Sequence, residues 1–107
     1  MSGVEFEEYV KRLLERRGWR VETTPLTRDG GIDLIARRND DVDIEVTLYV
    51  QCKNHSSPVG VDVARQLNGS LPKQLSGMRG VLVCPSGFTA DAMAFAKDRG
   101  IALWDRH

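Results

Sequence analysis

Residues 42–53, VDIEVTLYVQCK, decide how the rest of the chain is read. Ile44, Val46, Leu48, Val50 and Cys52 alternate with Glu45, Thr47, Tyr49, Gln51 and Lys53. A period of two residues is the mark of a strand, and the split predicts one apolar face on a core and one polar face toward solvent. Gln51 and Lys53 then share the polar face, about 7 Å apart along the chain.

The segments on either side supply neighbours for this strand. Upstream, residues 32–37, IDLIAR, read as a strand, closed by a turn at Asn39-Asp40-Asp41. Pro25–Gly31, ending Asp29-Gly30-Gly31, reads as a turn, and residues 19–24, WRVETT, as a further strand. Residues 4–17, VEFEEYVKRLLERR, fit an amphipathic helix with Phe6, Tyr9, Val10, Leu13 and Leu14 on one face, stopped by Gly18. Downstream, residues 54–60 read as a loop. Residues 61–75 read as a helix that Pro72 kinks or ends, and GVLVCP (80–85) as a buried strand. Thr89 caps a helix over 90–99, with Phe88 and Met93 spaced for a hydrophobic staple and Gly100 for the terminating cap. IALW (101–104) is the last strand. The order α-β-β-β-α-β-α-β predicts an α/β fold, a mixed sheet flanked by helices on both faces.

Composition bounds the function. A chain of 107 residues is one domain, 1–107, with 41% hydrophobic and 28% charged residues, ordinary for a globular protein. No apolar run reaches the roughly 20 residues that span a bilayer, so no membrane role is expected. The start, MSGVEFEEYV, lacks the pattern of a signal peptide, and a cytoplasmic setting is the expectation. Cys52 and Cys84 have neither CxxC spacing nor a histidine pair nearby, so they read as buried free thiols. Fifteen basic residues balance fifteen acidic ones, so a nucleic-acid partner would have to be met by a local patch or with another domain's help.

Chemistry concentrates in two strands and one helix. Asp33 lies between Ile32 and Leu34-Ile35, and an acid in an apolar strand is costly unless it is paired or bound to metal. Asp29, before glycine, is turn chemistry. Asp33 in one strand and Gln51 and Lys53 in its neighbour can converge. A carboxylate, an amide oxygen and waters suit Mg²⁺, and a lysine beside them can orient water or stabilise phosphorane charge. Glu45 lies about 20 Å along the strand from Gln51, too far to share a metal. On a helical wheel with Phe6 at about 240°, Leu13 falls at about 220° and Leu14 at about 320°. Glu7 falls at about 340°, at the rim of the apolar face, whereas Glu8 at about 80° and Glu5 at about 140° point to water. Glu7 is therefore the helix acid able to reach inward.

The stretches FEEYVKRLLERRGWRVETTPLTRDGGIDLIA, VQCKN and GVLVCPSGFTADAMAFAKDRGIALWD resemble the Mrr-type restriction endonuclease catalytic domain, of the PD-(D/E)XK nuclease superfamily, over nearly the whole chain. The resemblance implies catalytic positions at Asp33, Gln51 and Lys53 and a helix acid at Glu7. It also implies Mg²⁺, replaceable by Mn²⁺, on Asp33, the Gln51 side-chain oxygen and the Cys52 backbone carbonyl. The implied reaction is DNA phosphodiester hydrolysis leaving a 5′-phosphate. Ile32 stands where the superfamily name has proline. Gln51 stands for the second acid, which lowers the charge offered to metal and favours one ion over two. Candidate DNA contacts are Arg28, His55, Ser86 and Thr89, with Arg37, Arg38 and Arg65 along a further path. Other readings are a Holliday-junction resolvase or repair nuclease of the same fold, and a non-catalytic DNA-binding or assembly module. Double-strand cleavage would favour a homodimer, and a separate DNA-reading domain or subunit would supply the missing basic surface.

Overall fold

The computed structural model describes residues 2–24, 31–72 and 77–105. The elements are α1 (Gly3–Arg16), β1 (Arg20–Thr23), β2 (Leu34–Asn39), β3 (Glu45–Cys52), α2 (Val61–Ser70), β4 (Met78–Val83), α3 (Ala90–Arg99) and β5 (Ala102–Trp104). This is the order expected from the periodicities. The strands form one five-stranded sheet ordered β1-β2-β3-β4-β5. The pairing makes β1-β2-β3 an antiparallel meander, and the crossovers through α2 and α3 make β3-β4-β5 parallel.

Local chemistry fixes the helix ends. The Ser2 hydroxyl accepts the Glu5 N–H at 3.1 Å and the Glu5 carboxylate accepts the Ser2 N–H at 2.7 Å, a reciprocal capping box that starts α1 one residue before the expected boundary. Thr89 accepts the Ala92 N–H to start α3, and Gly100, at φ 71°, takes the left-handed cap that ends it. Met93 keeps 51% of its surface exposed, so the expected staple adds little. Helix α2 stops at Ser70, ahead of Pro72, as the missing N–H of proline requires.

Each face of the sheet is covered. On one side Phe6, Val10 and Leu14 of α1 pack on Leu34, Ala36, Leu48, Val50, Val81 and Val83. On the other, Ala64 and Leu67 of α2 and Ala96 of α3 pack on Leu82, Cys84, Ile32 and Ile101. Tyr9 and Leu13 lie outside the buried stripe, at 51% and 37% exposure. The expectation of a solvated polar face on β3 is overturned: Tyr49 packs against the α2/α3 layer, and Gln51 is 1% exposed. The parallel crossovers put helices over a face that strand alternation alone would leave wet. Among the described residues, no helix is long and apolar enough to cross a membrane.

Candidate active site

The site begins with an irregularity at the start of β2. The ladder pairs Leu34 with Val50, yet the Val50 carbonyl also accepts the Asp33 N–H at 2.8 Å. Two successive residues thus oppose one, a β-bulge, which re-aims a side chain. The packing shows the same break. Ile32 and Leu34, two residues apart, would share a face in a regular strand, but Ile32 lies in the α2/α3 layer and Leu34 in the α1 layer. The bulge turns Asp33 toward α1, where its carboxyl group shares a hydrogen bond with Glu7.

The other Asp33 partner is a backbone group. Its Oδ2 accepts the Cys52 N–H at 2.7 Å, standing in for the carbonyl that a regular ladder would offer. Because the N–H and C=O of one strand residue point to the same neighbour, the Cys52 carbonyl is directed to this side too. Burial raises the Asp33 pKa above its ordinary value, opposed by the Cys52 N–H, by the charge of Lys53 and by the Glu7 hydrogen bond. Burial also raises Glu7, reinforced by the Asp33 charge and their shared hydrogen bond. Two adjacent carboxyl groups with these shifts hold a proton between them more readily than two isolated acids. Burial, with the charges of Asp33 and Glu7, pushes the Cys52 thiol upward, so it stays protonated.

Gln51 is held from the other direction. A Cβ at Gly31 would lie 2.2 Å from the Gln51 amide nitrogen and 2.7 Å from its amide carbon. Only glycine leaves room for the carboxamide, and φ of 82° at Gly31 makes the same demand. The Gln51 Oε1 is fully buried and has no hydrogen-bond partner among the described residues. Buried acceptors are nearly always paired, which sets this oxygen apart from the other buried polar atoms among the described residues.

The structure brings Glu7 and Lys53 each within electrostatic reach of Asp33, with Gln51 and Cys52 on the adjoining strand. Glu8 instead pairs with Arg12 on the exposed side of α1 at 3.5 Å, and Glu45 with Arg20 at 3.5 Å. Among the remaining candidates, Arg28 lies outside the described residues. Ser86 donates to the His55 carbonyl at 2.7 Å, and Thr89 caps α3. A parallel bridge between Val59 and Phe88 ties these loops together, so the N-termini of α2 and α3 lie side by side. Arg37 pairs with Glu22 at 2.8 Å and Arg65 with Asp62 at 3.4 Å, while Arg38 stacks on Trp19 at 4.4 Å from the ring centre. Sequence reasoning missed Thr24, whose buried hydroxyl donates to the Ile32 and Asp33 carbonyls. A lone threonine at a strand end carries no signal until the bulge is known.

Comparison with known proteins agrees with this architecture. The restriction endonuclease family Mrr_cat matches residues 1–107. The type IV methyl-directed restriction enzyme EcoKMrr of Escherichia coli is 34% identical over 98% of this chain. The mitochondrial protein C824.03c of Schizosaccharomyces pombe is 30% identical over 86%. The chain spans 36% and 38% of the lengths of these two relatives. Among solved structures, the DNA modification-dependent restriction endonuclease AspBHI is similar, with a TM-score of 0.67 and 26% identity over 94% of this chain and 27% of its own. A family match across every element, on a sheet whose bulge gathers two acids and a lysine, makes this chain a member of the Mrr-type restriction endonuclease family.

Proposed function

We propose that this domain is a Mg²⁺-dependent DNA endonuclease in which Glu7, Asp33, Gln51 and Lys53 form the site. The observation that carries the reading is the buried Gln51 oxygen, without a hydrogen-bond partner among the described residues, beside the strand whose bulge aims Asp33. The donors fit a hard cation: one carboxylate, one amide oxygen and the Cys52 backbone carbonyl, all oxygen. Among the described residues, no three His, Cys, Asp or Glu side chains are placed to hold a metal together, and the protonated Cys52 thiol is a poor ligand for a soft one. When bound, the cation would supply Lewis-acid stabilisation of the phosphate charge.

The chain's own groups do the rest. Lys53 follows Gln51 by two residues, and its charge is felt at Asp33. It would hold the attacking water against the phosphate and offset the charge that grows on the phosphorane oxygens. Glu7 would take up or release a proton beside Asp33 as the site charges. DNA is the proposed partner, met through His55, Ser86, Thr89 and Arg28. A homodimer would cut both strands, and a further domain or subunit would read the DNA. The names of EcoKMrr and AspBHI, methyl-directed and modification-dependent, favour modified DNA as the substrate to try first.

Supercoiled plasmid, methylated and unmethylated, incubated with Mg²⁺ or with EDTA tests the reading. Nicking or linearisation is expected with metal and none with chelator. Lys53→Ala should cut the rate about a hundredfold, near 2.7 kcal/mol of barrier. It should also leave the melting temperature unchanged to within about 0.5 kcal/mol of stability. DNA retained in a gel shift with no cleavage in any metal would move the domain to the binding-module reading.

A further inference from the structure

We propose that Thr24 is the positioning residue for Asp33, acting through the bulge; this rests on the reading of Asp33 as the cation-binding carboxylate. Thr24 and Gln51 are the two buried polar side chains among the described residues, at 8% and 1% exposure. The Thr24 N–H donates to the Asp33 carbonyl at 3.0 Å, continuing the β1–β2 ladder. Its hydroxyl lies within donor range of both the Ile32 and Asp33 carbonyls, the latter at 3.2 Å.

In a regular strand, successive carbonyls point to opposite edges, so a neighbouring strand meets only one of them. Here two successive carbonyls turn to the same residue, as the bulge requires. The backbone of Thr24 has one N–H and can satisfy one carbonyl. The hydroxyl is the second donor, and without it the Ile32 carbonyl would be left buried and unpaired. Valine has the same shape and would suit a strand end equally well; the hydroxyl is what valine lacks. If the clamp is lost, the stable alternative is the regular register. A one-residue slip moves a side chain to the opposite face. Asp33 would then turn toward the α2/α3 layer, away from Glu7 and from the Cys52 N–H that its carboxylate now accepts.

The test compares Thr24→Val, Thr24→Ser and Asp33→Asn in the whole chain, by amide hydrogen exchange and by spin-resonance titration of free Mn²⁺. In Thr24→Val the Cys52 amide should exchange about tenfold faster, and the Mn²⁺ dissociation constant should rise about tenfold, the scale of one lost buried hydrogen bond. Leu48 and Val81, in the sheet centre, should keep wild-type exchange. Thr24→Ser should restore both readouts. Thr24→Ala, which brings no methyl group against the Ile32 carbonyl, serves if the valine variant does not fold. Wild-type Cys52 protection and Mn²⁺ affinity in Thr24→Val, alongside lost Mn²⁺ binding in Asp33→Asn, would remove the role of Thr24 and leave the cation site standing. Faster exchange across the whole sheet would reduce Thr24 to a general stabiliser and overturn the proposal. Wild-type Mn²⁺ affinity in Asp33→Asn would take down the cation site, and the assignment of Thr24 with it.

Discussion

Glu7 and Asp33 are kept where charge is disfavoured on both. Each has a folded pKa above its ordinary value, so the folded state binds protons more tightly than the unfolded chain. From the ordinary values of 4.5 and 3.8 up through the raised ones, these two groups therefore lose stability as pH rises. This is the reverse of the usual ion-paired carboxylate. In metal-free protein, Glu7→Gln should melt at or above the wild-type temperature at neutral pH, and the difference should shrink as pH falls toward 4.5. Thermal melts across that range check the sign; a Glu7→Gln variant less stable at neutral pH would contradict it. The same substitution should lower cleavage at least about tenfold, near 1.4 kcal/mol. Glu8→Gln should do little, since Glu8 is exposed and pairs with Arg12. The helical wheel sets Glu7 on the sheet side of Glu8 because it asks only which side of α1 faces the sheet, and the pairing of Glu8 with Arg12 lies on the exposed side.

At the scale of elements, what alternation and capping could show was legible, and what depends on neighbours was not. The order of strands and helices, the Thr89 and Gly100 caps and the Pro72 stop were all written in local chemistry. The capping box was also present in Ser2-Gly-Val-Glu5, but starting the helix at the first apolar residue hid it. Burial of Gln51 was not legible, because period-two patterning gives the side a residue faces, not what covers that side. Nor was the bulge, whose extra residue shows only against its partner strand. The entry to β2 has a sharp test. Gly31→Ala places a methyl group against the Gln51 amide at a positive φ. It should cost about 2–4 kcal/mol from backbone strain and overpacking together. Urea unfolding measures this; a cost under about 0.5 kcal/mol, typical of neutral surface changes, would mean that the Gly31 cradle is loose.

For the whole molecule, the even count of fifteen acidic and fifteen basic residues has a direct consequence for DNA. Several arginines are already engaged: Arg20 with Glu45, Arg37 with Glu22 and Arg65 with Asp62. With no net positive charge, the surface offers no excess of cations to displace counterions from a duplex. Unmodified duplex should bind with a dissociation constant weaker than about 10⁻⁵ M at physiological salt, and with a log–log salt slope shallower than about −4. Fluorescence anisotropy across a salt series measures both. A steep slope would reveal a basic surface that the net charge conceals.

The docking of α1 has a consequence for how the molecule comes apart. Three side chains, Phe6, Val10 and Leu14, bury the helix against the sheet, whereas the β2–β3–β4 centre is packed from both faces. Proteins open in cooperative pieces, and the piece with the smaller buried interface opens at the lower free energy. Glu7 rides on that piece, while Asp33, Gln51 and Lys53 stay with the sheet. Under mild denaturant, α1 should detach first, and its amides should exchange through a sub-global opening while those of Val50 and Val81 wait for global unfolding. A chain that is slightly destabilised would thus surrender its helix acid before its architecture, and lose the proposed cleavage while still folded.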